Sequence, residues 1–465
     1  VFVFAHKHDP PCGQKTKKQK GEIDVKKIIS IALALLMVAV MLPVMAMADE
    51  TLQNKIDTAA DGATITLDKD YTEDITIDKA LTIDLNGKKL TNSAGDTITV
   101  NANGNLTITG NGTVDNVTHG KAALRIKENG KATLNGGYFN RSLENGKSGT
   151  EPGGNSFYTL INHGELTIND GAVVTTASES STLGRYSSLV ENGYQSHDDR
   201  TNNPTLTING GTFKGGLNTI KNDDNGITNI YGGKCENYFQ ACVQNHHKAT
   251  IHNGEFSADV SSAWSVMNCG AKCAYNENHD AHELIITNGN FKGNVRANVG
   301  KVKIEGGSFE ASFTEEGNAT IEISGGTFNS DVTEYAGDTL VVENNGTYYV
   351  GGTARDAIEN ATSGTFTVKK AENGTSLTVK PGVTVENGMN DGKVTVNGNE
   401  VKPGESYTVP GTITIIVPSD GGNTTTTPST DNTKNPSTGA NDFVGVAAAM
   451  AVVSLLGAAA VIRKK

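Results

Sequence analysis

The stretch "LTINGGTF", residues 206–213, decides the fold. Leu206 and Ile208 alternate with polar Thr207 and Asn209, the period of a strand with one buried side. Two glycines then stop the strand, and an aromatic ring follows. The phrase returns as "ATLNGGYF", "ITNIYGGKC", "ATIHNGEF", "LIITNGNF", "VKIEGGSF" and "IEISGGTF". A phrase that recurs at a regular period means one structural unit stacked on copies of itself. Glycine turns a chain at positive φ. Each phrase is therefore read as one corner of a coil, with the ring of Phe139, Phe213, Phe256, Phe291, Phe309 or Phe328 pointing inside. Cys235 takes that place in one copy, and Val173 is expected to take it in the "NDGAV" copy.

The spacing sets the size of the coil. Phe213, Cys235 and Phe256 are 22 and 21 residues apart, and Phe291, Phe309 and Phe328 are 18 and 19 apart. Such intervals suffice for one turn of a three-faced parallel β-helix. A leucine-rich repeat has a similar period, but its Leu/Asn signature is missing. A second landmark precedes each corner in "LINHG", "LVENG", "IKNDD", "VQNHH", "VMNCG" and "RANVG". It predicts that Asn162, Asn192, Asn222, Asn245, Asn268 and Asn298 stack in successive coils as a ladder of amides. Trp264, Val266 and Asn268 share a period-two face, so the lone Trp is expected in the core.

Composition agrees with this reading. The 54 glycines, 11 prolines and single Trp favour strands and tight turns over helices. A hydrophobic content of 36% suits a solenoid, which buries one narrow core along its length. Its ends need caps. "TLQNKIDTAADGATITL" supplies Leu52, Ile56 and Ala59 or Ala60 at helical spacing, with Thr51 to cap the helix. "ARDAIENATSGTFTV" repeats the helix-then-strand logic with Ala357 and Ile358. The fold class predicted is all-β: a right-handed parallel β-helix over 49–352, with a short N-terminal capping helix and a small C-terminal β-module over 353–417.

Both ends read as processing signals. Lys26 and Lys27 precede an apolar run closed by Ala46-Met47-Ala48, the pattern of a secretory signal peptide over 1–48. Val25 is a candidate true start. At the other end, a Thr-rich linker over 418–434 spans about 55 Å if extended. Asn435-Pro436-Ser437-Thr438-Gly439 follows it, then an apolar stretch over 443–462 long enough to span a bilayer, then Arg463, Lys464 and Lys465. The arrangement of pentapeptide, span and basic tail resembles the sorting signal of Gram-positive cell-wall-anchored proteins. The resemblance implies that a sortase cysteine attacks the Thr438 carbonyl, releases Gly439 onward and joins Thr438 to peptidoglycan. Asn435 stands where the commonest signal has Leu. As a whole the chain resembles wall-anchored surface proteins with a pectin-lyase-like β-helix, which implies secretion to a Gram-positive cell surface and only a transient stay in the membrane through 443–462.

The full chain carries 39 basic and 51 acidic residues, a net charge of −12. Removing both signals makes the remainder more acidic still, about −18, which excludes nucleic acid and anionic lipid as natural partners. Chemistry on the rod is sparsely signalled. Glycoside hydrolysis needs two carboxylates across one cleft, and Asp198-Asp199 and Asp223-Asp224 are available. "RIK" at 125–127 is similar to one motif of polygalacturonases, but their Gly-His-Gly is absent and "NHGE" around His163 does not replace it. Cys269, Cys273, His279 and His282 offer metal-ligand chemistry at a spacing that is not an established zinc pattern. No metal and no cofactor is therefore expected, and no catalytic residue. The four cysteines after the signal permit disulfides, while Cys235 reads as a buried small hydrophobe.

Two insertions, 194–204 and 270–282, follow the Asn corner and should project from one edge of the rod. Repeat proteins commonly bind through insertions gathered on one face. Tyr194, His197 and Asp198 with Tyr275, Asn276 and His279 make a candidate ligand edge suited to a glycan or a host protein. The expectation is a non-catalytic adhesin or glycan-contacting rod. A cell-attached polysaccharide lyase or hydrolase, and a structural spacer, are the alternatives.

Overall fold

The computed structural model describes residues 50–416, except 149, 178–185, 196–200, 259–262, 269–281, 373, 391, 393, 397–398 and 410–412. The regions read above as signal peptide, linker, sorting pentapeptide and apolar span lie outside the described residues. Among the described residues, no helix is long and apolar enough to cross a membrane.

The chain is a parallel β-helix. Each coil lays one strand on each of three sheets, and the next coil repeats the sequence one layer on. Sheet A has eleven strands in strict parallel order, sheet C has ten, and sheet B has sixteen because it continues beyond the solenoid. The quoted phrase crosses from sheet A to sheet B. Leu206 and Ile208 lie inside sheet A at 0% exposure, and Phe213 lies inside sheet B at 1%.

The two glycines of each corner do different things. The second turns the chain, at φ +93° for Gly211, +98° for Gly233 and +115° for Gly326. The first lets neighbouring coils approach. A Cβ on Gly210 would lie 1.8 Å from Asp170 Oδ1, and one on Gly306 would lie 2.4 Å from the Thr287 carbonyl. The tucked rings then stack along the axis. Phe256, Phe291, Phe309 and Phe328 follow one another at centroid spacings of 5.0, 4.6 and 5.1 Å, nearly parallel. Cys235 pairs with Phe213 and Phe256 in this column. In the copy without a ring, Val174 is the inward residue opposite Phe139, where the spacing pointed to Val173. Ala172, itself buried, adds one residue to that corner.

At the end of each sheet C strand the amides form a ladder. Asn162 Nδ2 donates to Asn192 Oδ1 at 2.7 Å, Asn192 to Asn222 at 2.8 Å, Asn222 to Asn245 at 2.8 Å and Asn245 to Asn268 at 2.7 Å. All five are at 0% exposure. Spare donors reach backbone carbonyls such as those of Thr205 and Lys248, so these buried polar groups are satisfied. Asn298 is not a rung. Asn268 faces Ala297 across the ladder because the register shifts between Trp264 and Val266. Asn298 Nδ2 instead donates to Glu316 Oε2 at 2.6 Å.

The same irregularity removes Trp264 from the core. Ser265 occupies an extra inward corner position and its Oγ donates to the Gly293 carbonyl at 2.8 Å. Period two fails there. Trp264 is half-buried on the outer side, with the Arg296 guanidinium 4.8 Å from its ring centroid.

Both ends of the core are capped. Leu52 and Ile56 of the helix Leu52–Thr58 close the first coil, and Thr51 caps the helix by accepting from Asn54 N. Glu73 accepts from the free Leu52 and Gln53 amides. The Gln53 side chain then bonds both backbone groups of Thr76, as a further strand would. At the far end the hairpin Val341–Asn344 and Thr347–Val350 places Val341 and Val350 in the solenoid core and Leu340 and Val342 in a second core. That second core is built on Ala354 and Ile358 of the helix Gly352–Asn360, with Ala357 only partly buried. Arg355 and Glu359 pin the strand Ser376–Val379 as Gln53 pins Thr76. The module thus opens with the same helix-and-edge device as the solenoid.

Candidate functional site

The outer face of sheet C departs from an ordinary solenoid surface. Its outward column runs Thr99, Arg125, Ile161, Glu191, Lys221, Gln244 in strand register. Outward side chains of a solenoid normally meet water. Here Ile161 is 2% exposed, Glu191 4% and Gln244 5%.

Segments that leave the corners cover them. Arg141, itself at 0% exposure, organises the first cover. Its guanidinium donates to the carbonyls of Thr118, Lys121, Asn155 and Phe157 and pairs with Glu144 at 3.3 Å. This fixes 142–158 so that Phe157 and Tyr158 pack with Ala122 and Ile161. Gln195 Nε2 also donates to Tyr158 Oη.

Beneath this cover Glu191 lies near Asp223, and Lys221 Nζ lies 2.7 Å from Asp223 Oδ2. Burial pushes the Glu191 carboxyl up to about 8, the Asp223 charge adds to this, and Lys221 and Arg125 pull it back. Burial also raises Asp223 against the opposing pull of Lys221. Burial and the two neighbouring carboxyls raise the Tyr158 hydroxyl. His246 is pushed down to about 3 by burial and by Lys221. Burial and the Asp223 charge both favour the protonated form of Glu191, while Lys221 favours the charged form of Asp223.

Glu191 carries no motif in the sequence. Only its place before Asn192, in the column of Ile161 and Lys221, marks it as outward, and nothing in the repeat announces the cover.

The residues singled out from sequence are distributed unevenly. Tyr194 is not presented to a ligand: it is 5% exposed, its ring lies 4.6 Å from that of His163, and its backbone bridges to Asp224. Its hydroxyl accepts from Asn202 Nδ2 at 2.7 Å. Local pairing and ring packing take the side chain inward. His282 is 1% exposed at the foot of the strand Glu283–Ile286. His197, Asp198, Tyr275, Asn276, His279, Cys269 and Cys273 lie outside the described residues, as do Asn435 to Gly439. Among the described residues no group of three or more His, Cys, Asp or Glu side chains gathers as metal ligands do.

An open depression of about 420 Å³ lies on the outer face of sheet B. It forms where Ser257 sits between the longer Glu236 and Lys292, with Lys234, Glu255 and Glu310 at its rim. Charges of both signs alternate there, and Lys214 pairs with Glu236 at 3.3 Å. Searched against known proteins, the chain matches no family model, no curated protein and no solved structure.

Proposed function

We propose that this chain is a wall-anchored, non-catalytic surface rod whose solenoid carries contacts to glycans or to host proteins away from the cell. The observation that carries the reading is in the sequence. The pentapeptide Asn435 to Gly439 is followed by an apolar span and three basic residues, and a Thr-rich linker precedes it. A rod held through Thr438 has its solenoid outside the wall, and an acidic surface is suited to neutral or basic partners. The open, mixed-charge depression on sheet B offers hydrogen-bonding groups to a polyhydroxylated ligand.

Fractionation of cells tests the anchoring. Thr438→Ala should move the protein from the peptidoglycan-linked fraction to membrane or medium. A variant still released only by wall hydrolases would refute the sorting assignment.

A second reading, a cell-attached polysaccharide lyase or hydrolase, draws on the buried carboxyls Glu191 and Asp223 beside Lys221. It predicts unsaturated or reducing ends from acidic polysaccharides, with the activity lost in Asp223→Asn. No product with the wild-type chain, with or without calcium, leaves the binding reading in place.

A further inference from the structure

Cys235 lies on the sheet B strand Lys234–Asn237 and Cys242 on the following sheet C strand Ala241–Asn245. Both face the core, at 2% and 0% exposure. Cys242 Sγ is 3.5 Å from the Cys235 carbonyl and Cys235 Sγ is 3.6 Å from the Cys242 carbonyl. Cys242 Sγ also lies 3.2 Å from the Ser257 carbonyl.

Each cysteine departs from its own column. Where Cys235 stands, the coils on either side place Phe213 and Phe256. Where Cys242 stands, the register gives Thr219 and Ser265. Those hydroxyls clamp the corner by donating to backbone carbonyls, Thr219 to Gly215 and Ser265 to Gly293. A hydroxyl would have served at position 242 and a ring at 235. Instead both columns switch to sulfur in one coil, and each sulfur lies against the other cysteine's carbonyl.

We propose that Cys235 and Cys242 form a disulfide that staples sheet B to sheet C across one corner in the middle of the solenoid. Both are free thiols in the structure described above. The bond forms by exchange with a small-molecule or protein disulfide outside the membrane. One cysteine thiolate attacks the donor, breaking its S–S bond and releasing the first donor thiol. The second cysteine thiolate attacks the mixed disulfide and releases the second donor thiol. Two protein thiols are thereby oxidised by two electrons, and one donor disulfide is reduced. Burial raises the Cys235 thiol and suppresses its thiolate once the coil is closed. Exchange therefore belongs to the period when the corner is still open, and the closed staple is shielded from reductants.

The proposal depends on an oxidant, which export supplies, but its test does not depend on where the chain resides. The full chain is refolded in oxidised and in reduced glutathione, alkylated under denaturing conditions and mapped by mass spectrometry. The expected product is a Cys235–Cys242 cross-linked peptide, with Tm raised by roughly 5 °C over the reduced form. The double variant Cys235→Phe, Cys242→Thr restores the residues of the neighbouring coils. It should fold and show no such shift. Alkylation of both thiols after oxidative refolding would overturn the proposal. So would a link from either to Cys12, Cys269 or Cys273, or a cross-link that leaves Tm unchanged. Failure of the Thr438→Ala test would remove the wall anchor and leave the staple untouched.

Discussion

Sheets A and C are built from the same coils, yet their outer faces have opposite fates. On sheet A the central outward column reads Thr64, Thr82, Thr107, Thr133, Thr167, Thr207, Asn229 and Thr250 in unbroken register. These β-branched and amide side chains stay at the surface, where Thr packs well on a pleated sheet. On sheet C the equivalent column passes through Ile161, Glu191, Lys221 and Gln244, and three of these four are buried. The repeat decides what points inward on both faces. What happens outside is decided by segments that do not belong to the repeat, above all 142–158 tied down by Arg141. A solenoid can thus acquire a buried ionisable cluster without altering its core.

The largest expected effect addresses what the two faces share. Phe213→Asp puts an unpaired carboxylate into the stacked column and should cost several kcal/mol, roughly, enough to unfold its coil and those beside it. Denaturant unfolding measures it, and a loss below about 1 kcal/mol would mean that the column is not a continuous core.

Next comes the ladder. Asn222 accepts from Asn192 and Thr228 and donates to Asn245 and two carbonyls. Asn222→Ala leaves buried partners unmatched and should cost about 1–3 kcal/mol. Hydrogen exchange should quicken at the sheet C ends of neighbouring coils and hardly change on sheet A. Uniform quickening over both faces would show that the ladder serves the whole coil rather than one corner.

Thr207→Asp is the smallest. On the open face of sheet A it should change stability by no more than about 0.5 kcal/mol. A penalty approaching that of Phe213→Asp would mean that the face is covered in solution.

How legible this was in the sequence follows from what sets each feature. The coil could be read because period-two alternation, paired glycines and a following ring are local signals repeated many times. The Asn column from 162 to 268 could be read for the same reason. Asn298 and Trp264 were misread because one extra inward residue, Ser265, shifts the register, and a shift of one residue reverses inside and outside. Val173 was off by one for a similar reason, since Ala172 lengthens its corner. Tyr194 resembled a ligand contact by its residue type, but its bridge to Asp224 and its packing on His163 are tertiary. Glu191 was overlooked because its burial comes from a segment some forty residues earlier in the chain, about which the "VEN" motif says nothing.

The central claim is that the face of sheet C is closed over buried carboxyls, Glu191 above all. The measurement that tests it most directly is unfolding free energy against pH, for the wild type and for Glu191→Gln. With its carboxyl raised from 4.5 to about 8, folded Glu191 keeps a proton that the unfolded chain has already released within that window. Its stabilising contribution is complete below about pH 4.5, declines as pH rises and is gone above about pH 8. Asp223, Lys221, Arg125 and Tyr158 face position 191 in both proteins, so the difference between the two curves isolates Glu191. The account predicts a wild-type stability that falls across this window while the Gln variant, which cannot titrate, falls much less. Parallel curves for the two proteins would mean that Glu191 titrates as an ordinary surface carboxyl, and that the face is open.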